Sequence, residues 1–286
     1  MDKNRRNWQF DESFFAETET LMDFVYDPWF NVQETPILYH YSSVNALFSE
    51  ILIRKPESED KAISLFATDS RYLNDESEIE LGKRMMREVF DKMKISSYDR
   101  IVEEVGELER MNIISFSKEH DSIPMWSTYG NKGDGIALGF DSAVLKEHLR
   151  FICPCLYSRE AMEESLRRLM DFYFGSKHSP QEARSVILQI VVVCTIILGQ
   201  IKNSYYEYEK EVRYITLPLH EPEFRLKNNL IIPYVRVFLP RRALRRVIIG
   251  PNLDRQLTFL SIRDYIRSIG YKDVEIIQSD APFRNL

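Results

Sequence analysis

The chain has 286 residues, of which 44% are hydrophobic and 29% charged, with only 10 glycines and 12 prolines. That is enough to bury a sizeable core, and it excludes disordered and fibrous chains. The formal net charge of -6 argues against a general nucleic-acid binder, because neutralising phosphates takes a basic surface.

Residues 1–35 are aromatic and acidic. Phe14, Phe15, Leu21, Met22, Phe24 and Val25 are spaced as on an amphipathic helix, which predicts an N-terminal helical extension packed on a main domain of residues 36–286. Asp2, Lys3, Arg5 and Arg6 precede Trp8 and Phe10, so no apolar signal segment opens the chain and a cytoplasmic protein is expected. Ile37–Tyr41 reads as the first strand, with Ser42 and Ser43 capping a following helix.

Ile63–Ala67 reads as a strand, and Thr68–Asp75 as a loop whose Asn74 and Asp75 cap a charged helix from Glu76 to about Met93. A second charged helix is expected over 99–110, then the strand Ile113–Ser117, a short helix or turn at Pro124–Gly130, and the strand Ile136–Phe140. Residues 159–200 are mostly helical, with Gly175 and Pro180 dividing them. Within them Val186–Leu198 is apolar but too short to cross a ~30 Å hydrocarbon core, so no membrane partner is expected.

Strands return at Val212–Thr216, Tyr234–Phe238, Val247–Gly250 and Val274–Ile277, and Asp254–Gly270 reads as a helix ending at a glycine cap. The expected fold is α+β: one domain with a mixed or antiparallel central sheet flanked by helices, and a helical insertion at about 159–200.

Three cysteines, Cys153, Cys155 and Cys194, make no disulfide framework and lack the second ligand pair of a zinc site, so no metal is expected. Tyr39-His40-Tyr41 puts a histidine on one sheet face and two tyrosines on the other. His40 can hydrogen-bond a ribose or act as an acid-base group, or it is simply satisfied at the sheet surface. Asn74 to Glu78 crowds carboxylates at a helix start, where they complement the dipole, although Glu78 lies one turn from Asn74 and can share a cleft with it.

Trp126-Ser127-Thr128-Tyr129 offers rings and hydroxyls to a planar ligand, or a plug for the core. Glu209-Lys210-Glu211-Val212-Arg213 alternates so that Glu209, Glu211 and Arg213 share a face, with Lys210 and Val212 opposite. A cleft can use these groups for developing positive charge and for anion binding; an exposed edge strand is the other explanation.

Taken in order, Leu38-Tyr39-His40-Tyr41, Leu73-Asn74-Asp75-Glu76-Ser77-Glu78, Ser115-Phe116-Ser117, Met125 to Gly130, Tyr208 to Arg213, Ile248 to Pro251 and Ser279 to Arg284 resemble the motifs of an uncharacterised bacterial domain family. The plan is also similar to that of ADP-ribosyltransferases, which carry Arg or His on a first strand, a serine- or tyrosine-bearing middle strand, and a Glu or E-x-E later.

That resemblance implies NAD as substrate, with His40, Glu209 and Glu211 catalytic, and Tyr41, Asn74, Glu78, Ser117, Trp126, Tyr129 and Arg213 around the ligand. It implies a transferase or NAD glycohydrolase with a protein or nucleic-acid acceptor, acting in a bacterial defence or stress system with a protein partner. The alternatives are a non-catalytic nucleotide-sensing or interaction module, and a carboxylate-based metal-dependent nuclease using Asp75, Glu78, Glu209 and Glu211.

Overall fold

The computed structural model describes residues 12–26, 33–73, 77–93, 111–174, 182–217, 221–227, 229–251 and 254–282. Among the described residues ten strands form one sheet: β1 Ile37–Ser43, β2 Ile63–Asp69, β3 Asn112–Ser117, β4 Gly135–Asp141, β5 Ile152–Pro154, β6 Glu211–Thr216, β7 Glu223–Lys227, β8 Leu230–Leu239, β9 Leu244–Ile249 and β10 Glu275–Gln278. The main path runs β10-β9-β4-β1-β3-β2-β8-β7, with β6 on β3 and β5 on β6. Only β9 and β10 run parallel; the other pairs are antiparallel. The expected α+β class with a mixed, helix-flanked sheet is what the chain adopts.

β3 positions everything that follows. β6 pairs with it along its whole length, from Asn112 opposite Thr216 to Ser117 opposite Glu211, so β1 and β2 must share its other edge. β1 meets that edge at its end, Tyr39 opposite Ser117, and β2 at its start, Thr68 opposite Ile113 and Asp69 opposite Asn112. Between those contacts the two strands part, and the middle of β3 faces a fork.

Alternation along the strands sorts the core into two layers. Leu38, Leu65, Phe116, Leu138 and Val212 face one way, packed with Leu145, Ile262 and Ile266 from the helices Ser142–His148 and Arg255–Ser268. The second of these helices starts on Asp254, whose carboxylate accepts from the Leu257 amide at 2.6 Å, and is followed by Gly270 at φ 96°, the glycine-ended helix expected here. On the opposite face, Ile113 and Ile215 pack under the helices Glu12–Tyr26, Ser77–Met93, Arg159–Phe174 and Glu182–Gln200. From Ile190 to Gln200 the last of these is buried on every side, which is why its composition looks membrane-like although it is a core helix. No helix among the described residues is long and apolar enough to cross a membrane.

The N-terminal helix contributes Phe14, Leu21 and Met22 to this second layer, so the extension does pack on the main body. A smaller cluster on the same face, Tyr39, Tyr41, Met125 and Trp126, covers β1 and β4. The helix expected over 99–110, Asn74 and Asp75 with their capping role, Gly175, Pro180 and the last residues of the Ser279–Arg284 motif lie outside the described residues.

Candidate functional site

Between the two clusters of the second face lies a closed group of charges. The Lys202 ammonium sits 2.5 Å from Oε2 of Glu209 and 2.5 Å from Oε2 of Glu211. Arg213 donates from Nε to Oε1 of Glu211 at 2.9 Å, from Nη2 to Oε2 at 3.1 Å, and from Nη1 to the Gly199 carbonyl at 2.7 Å. The Tyr129 hydroxyl donates to Oε1 of Glu209 at 3.0 Å. Lys202, Glu209, Glu211 and Arg213 are 6%, 2%, 4% and 3% exposed, so two cations and two carboxylates neutralise one another out of solvent. A buried pair of this kind holds only while every partner is present.

The neighbouring hydrogen bonds fix its frame. Ser117 Oγ donates to the Glu209 carbonyl at 2.6 Å and accepts from the Glu119 amide at 2.9 Å, while the Tyr157 hydroxyl accepts from the Glu211 amide at 2.8 Å. Burial alone would raise the Glu211 pKa, but Arg213 and Lys202 outweigh it and hold the group down to about 2. Burial likewise works against charge on Lys202, and the two glutamates overcome it, so the ammonium titrates above its usual range.

One local expectation is corrected. Glu209 is not a strand residue sharing a face with Glu211 by alternation: it ends the 3-10 turn Ser204–Glu209, and Lys210 follows with φ 41°. That left-handed residue breaks the extended path just before β6, and it is this kink, with Lys202 between the carboxylates, that sets Glu209 beside Glu211. Lys210 points outward to Glu119.

His40 stands elsewhere. It belongs to the face of Leu38 and Phe116, its ring centre 6.0 Å from that of Phe116, whereas Glu211 and Arg213 belong to the face of Ser117 and Tyr39. Its Nδ1 donates to the Ser115 carbonyl at 3.0 Å, so the imidazole stands on the stretch of β3 that lacks a strand partner in the fork. Burial lowers its pKa, and the charge of Arg225 lowers it further. The ring is therefore neutral at pH 7 with its proton on Nδ1, which leaves Nε2 as an acceptor.

The aromatic residues are largely structural in position. Trp126 is fully buried, its indole N–H donating to Asp121 at 2.6 Å and its ring edge-on to Tyr41 at 4.9 Å, so it presents no face to a ligand. The Tyr41 hydroxyl donates to the Glu119 carbonyl at 3.0 Å. Asn74 lies outside the described residues, and Glu78 is placed only by its backbone within the helix Ser77–Met93. The structure thus joins Glu209, Glu211, Arg213, Tyr129 and Ser117, and sets His40 and Trp126 apart from them. Among the described residues no three His, Cys, Asp or Glu side chains gather as metal ligands.

Two neighbours were not singled out from sequence. Lys202 lies in a run, Ile201-Lys202-Asn203, with no local pattern to mark it. Arg225 lies on edge strand β7, where its guanidinium is 5.1 Å from the Phe66 ring centre and donates to Thr68 Oγ1 at 2.8 Å. A cavity of about 210 Å³ lined by Met85, Tyr157, Met162, Lys202 and Asn203 reaches the charge network from the helical side.

Residues 125–214 match a family model described as Protein of unknown function (DUF2971). The resemblance to an uncharacterised domain family holds over that stretch, which contains Trp126, Tyr129, Lys202, Glu209, Glu211 and Arg213 and leaves out His40 and Arg225. No curated protein and no solved structure matches the chain.

Proposed function

We propose that the chain binds NAD, or a nucleotide of the same build, at the fork between β1 and β2, and consumes it as an ADP-ribosyltransferase or NAD glycohydrolase. The observation that carries this is the fork itself. β1, β3 and β6 lie side by side, with Tyr39, Ser117 and Glu211 in one cross-strand row, so the three motif strands of the transferase plan are adjacent in the centre of the sheet. In the gap the neutral His40 keeps Nε2 to accept from a ribose hydroxyl, and Ser115, exposed on β3, offers a polar group on the other face of that strand.

Breaking the bond between nicotinamide and ribose builds positive charge on the sugar, and a carboxylate nearby lowers that barrier. The motif plan assigns that role to Glu209, which ends the turn before β6, and to Glu211, the first residue of β6, which faces away from His40 across the sheet. Both now hold the Lys202 ammonium, so turnover requires Lys202 to withdraw as the substrate's own charge develops. The acceptor would be a protein or nucleic acid. The three buried free thiols suit a reducing cytoplasm, and a role in bacterial defence or stress response follows from the resemblance alone.

The test is direct. The purified protein is incubated with NAD, released nicotinamide is followed by chromatography, and labelled NAD is used to look for modified targets in a cell extract. Release or labelling that disappears in His40→Ala with the fold intact supports the proposal; neither release nor labelling overturns it. The burial of both carboxylates favours a second reading, a non-catalytic nucleotide sensor, for which thermal stabilisation by NAD without turnover is the expected result.

A further inference from the structure

The hairpin of β7 and β8 sets two guanidiniums over one ring. Arg236 is 4.9 Å and Arg225 5.1 Å from the centre of Phe66, and Phe66 in turn packs on Tyr234 at 4.3 Å. Their partners differ sharply. Arg236 donates to Glu223 at 2.7 to 3.2 Å, to Ser64 Oγ at 3.1 Å and to the Tyr234 hydroxyl at 2.9 Å, so it is neutralised and satisfied. Arg225 has the neutral Thr68 hydroxyl, while its Nε is buried and meets no acceptor. Among the described residues no carboxylate pairs with it.

A buried cationic donor without an acceptor is costly, and such groups stay in folded proteins where something else supplies the acceptor. The surroundings say what that is. Lys227 is two residues along β7, on the same side of the strand, and adds a second positive charge. Thr68 is where β2 joins β3 at the base of the fork, and Arg225 is close enough to His40 for its charge to disfavour the protonated imidazole. Positive charge, a hydroxyl and a ring platform therefore converge on one wall of the fork.

We infer that Arg225, Lys227 and Thr68 form an anion subsite that takes a phosphate or pyrophosphate group of a ligand lying in the fork. The location of that ligand rests on the nucleotide reading above, but the subsite needs no turnover. An Arg fork is suited to two phosphate oxygens at once, and Nε supplies the free donor of such a bidentate pair.

The experiment is calorimetric titration of the full chain with inorganic pyrophosphate, and with NAD, for the native protein, Arg225→Gln, Lys227→Gln and the remote Arg242→Gln. Arg242 pairs with Glu147 on the surface and serves as a control. Native protein should bind pyrophosphate, and Arg225→Gln should weaken it by roughly tenfold or more, the size of one charged hydrogen bond, with Arg242→Gln unchanged. Without ligand, Arg225→Gln should keep or raise the thermal midpoint, because it removes a half-buried cation whose Nε has no acceptor; a purely structural arginine would lower it.

No pyrophosphate binding by the native protein, or equal binding by Arg225→Gln, overturns the subsite whatever NAD does. Pyrophosphate binding that depends on Arg225 while no nicotinamide is released sustains the subsite and removes the catalytic proposal alone.

Discussion

Lys202 and Glu211 are held at 2.5 Å between Nζ and Oε2, although one lies two residues past the end of a helix and the other at the start of a strand. The same ammonium holds Glu209, so removing it leaves two carboxylates facing each other out of water. Lys202→Met should lower stability by about 3–5 kcal/mol, the usual cost of leaving a buried charge unpaired. Urea unfolding at neutral pH measures it, and Lys202→Met combined with Glu209→Gln should recover part of the loss. An unchanged midpoint in the single variant would mean that the network contributes nothing.

The acid limb of stability follows from Glu211. Its folded pKa is held at about 2 against an ordinary 4.5, so between those values the unfolded chain binds the proton that the folded chain refuses. Stability from this group is complete above about pH 4.5 and drains away as the pH falls toward 2. Glu211→Gln should flatten that part of the unfolding-against-pH curve while lowering stability at pH 7. Loss of activity in that variant is consequently not enough to make Glu211 catalytic.

His40 behaves in the same sense by a different route. Its folded pKa lies below the ordinary 6.5 because burial, and then Arg225, disfavour the cation. As the pH falls below 6.5 the unfolded chain protonates first, and stability declines. Imidazole signals in an NMR titration should show His40 titrating below the free value, with the proton on Nδ1 at pH 7. In Arg225→Gln the midpoint should move up.

Tyr129→Phe removes the hydrogen bond to Oε1 of Glu209 and should cost about 1–3 kcal/mol, since a buried carboxylate oxygen loses a donor. Chemical denaturation of the two proteins side by side gives the number. A cost near zero would mean that water replaces the hydroxyl there.

Gly250 is a tighter constraint. A Cβ at that position would lie 2.4 Å from the Gly133 carbonyl oxygen and 2.7 Å from that of Gly135, both backbone atoms that cannot rotate away. Gly250→Ala should therefore destabilise by about 1–3 kcal/mol, as overpacking of a filled site does. Thermal unfolding with a midpoint equal to the native protein's would contradict the close approach.

Regular elements with strong local signals were legible in the sequence. The alternation of Ile113–Ser117 and the helix read from Asp254 to its glycine end at Gly270 both predicted what the chain forms. β5 and β7 were missed, since Ile152–Pro154 is three residues long and Glu223–Lys227 is an edge strand exposed at every residue but the half-buried Arg225, with no apolar side to impose a pattern. At the candidate site, Glu211 and Arg213 could be read as sharing a face because both are in β6. Lys202 could not, because its partners are seven and nine residues away across a 3-10 turn that no periodicity announces. His40 was expected near the glutamates, but strand alternation sends it to the other side of the sheet, and only the fork gives it a role of its own.

That fork also sets how the molecule comes apart. The β10-β9-β4-β1 ladder and the β2-β8-β7 ladder have no pairing with each other within the sheet; each is fastened separately to β3. β3 is thus the spine on which two otherwise separable ladders hang, and its six residues carry the cooperativity of the sheet. Amide protons of Ile113 to Phe116 facing β6 should exchange only on global opening, while those of β7, at the far edge, exchange through local fraying.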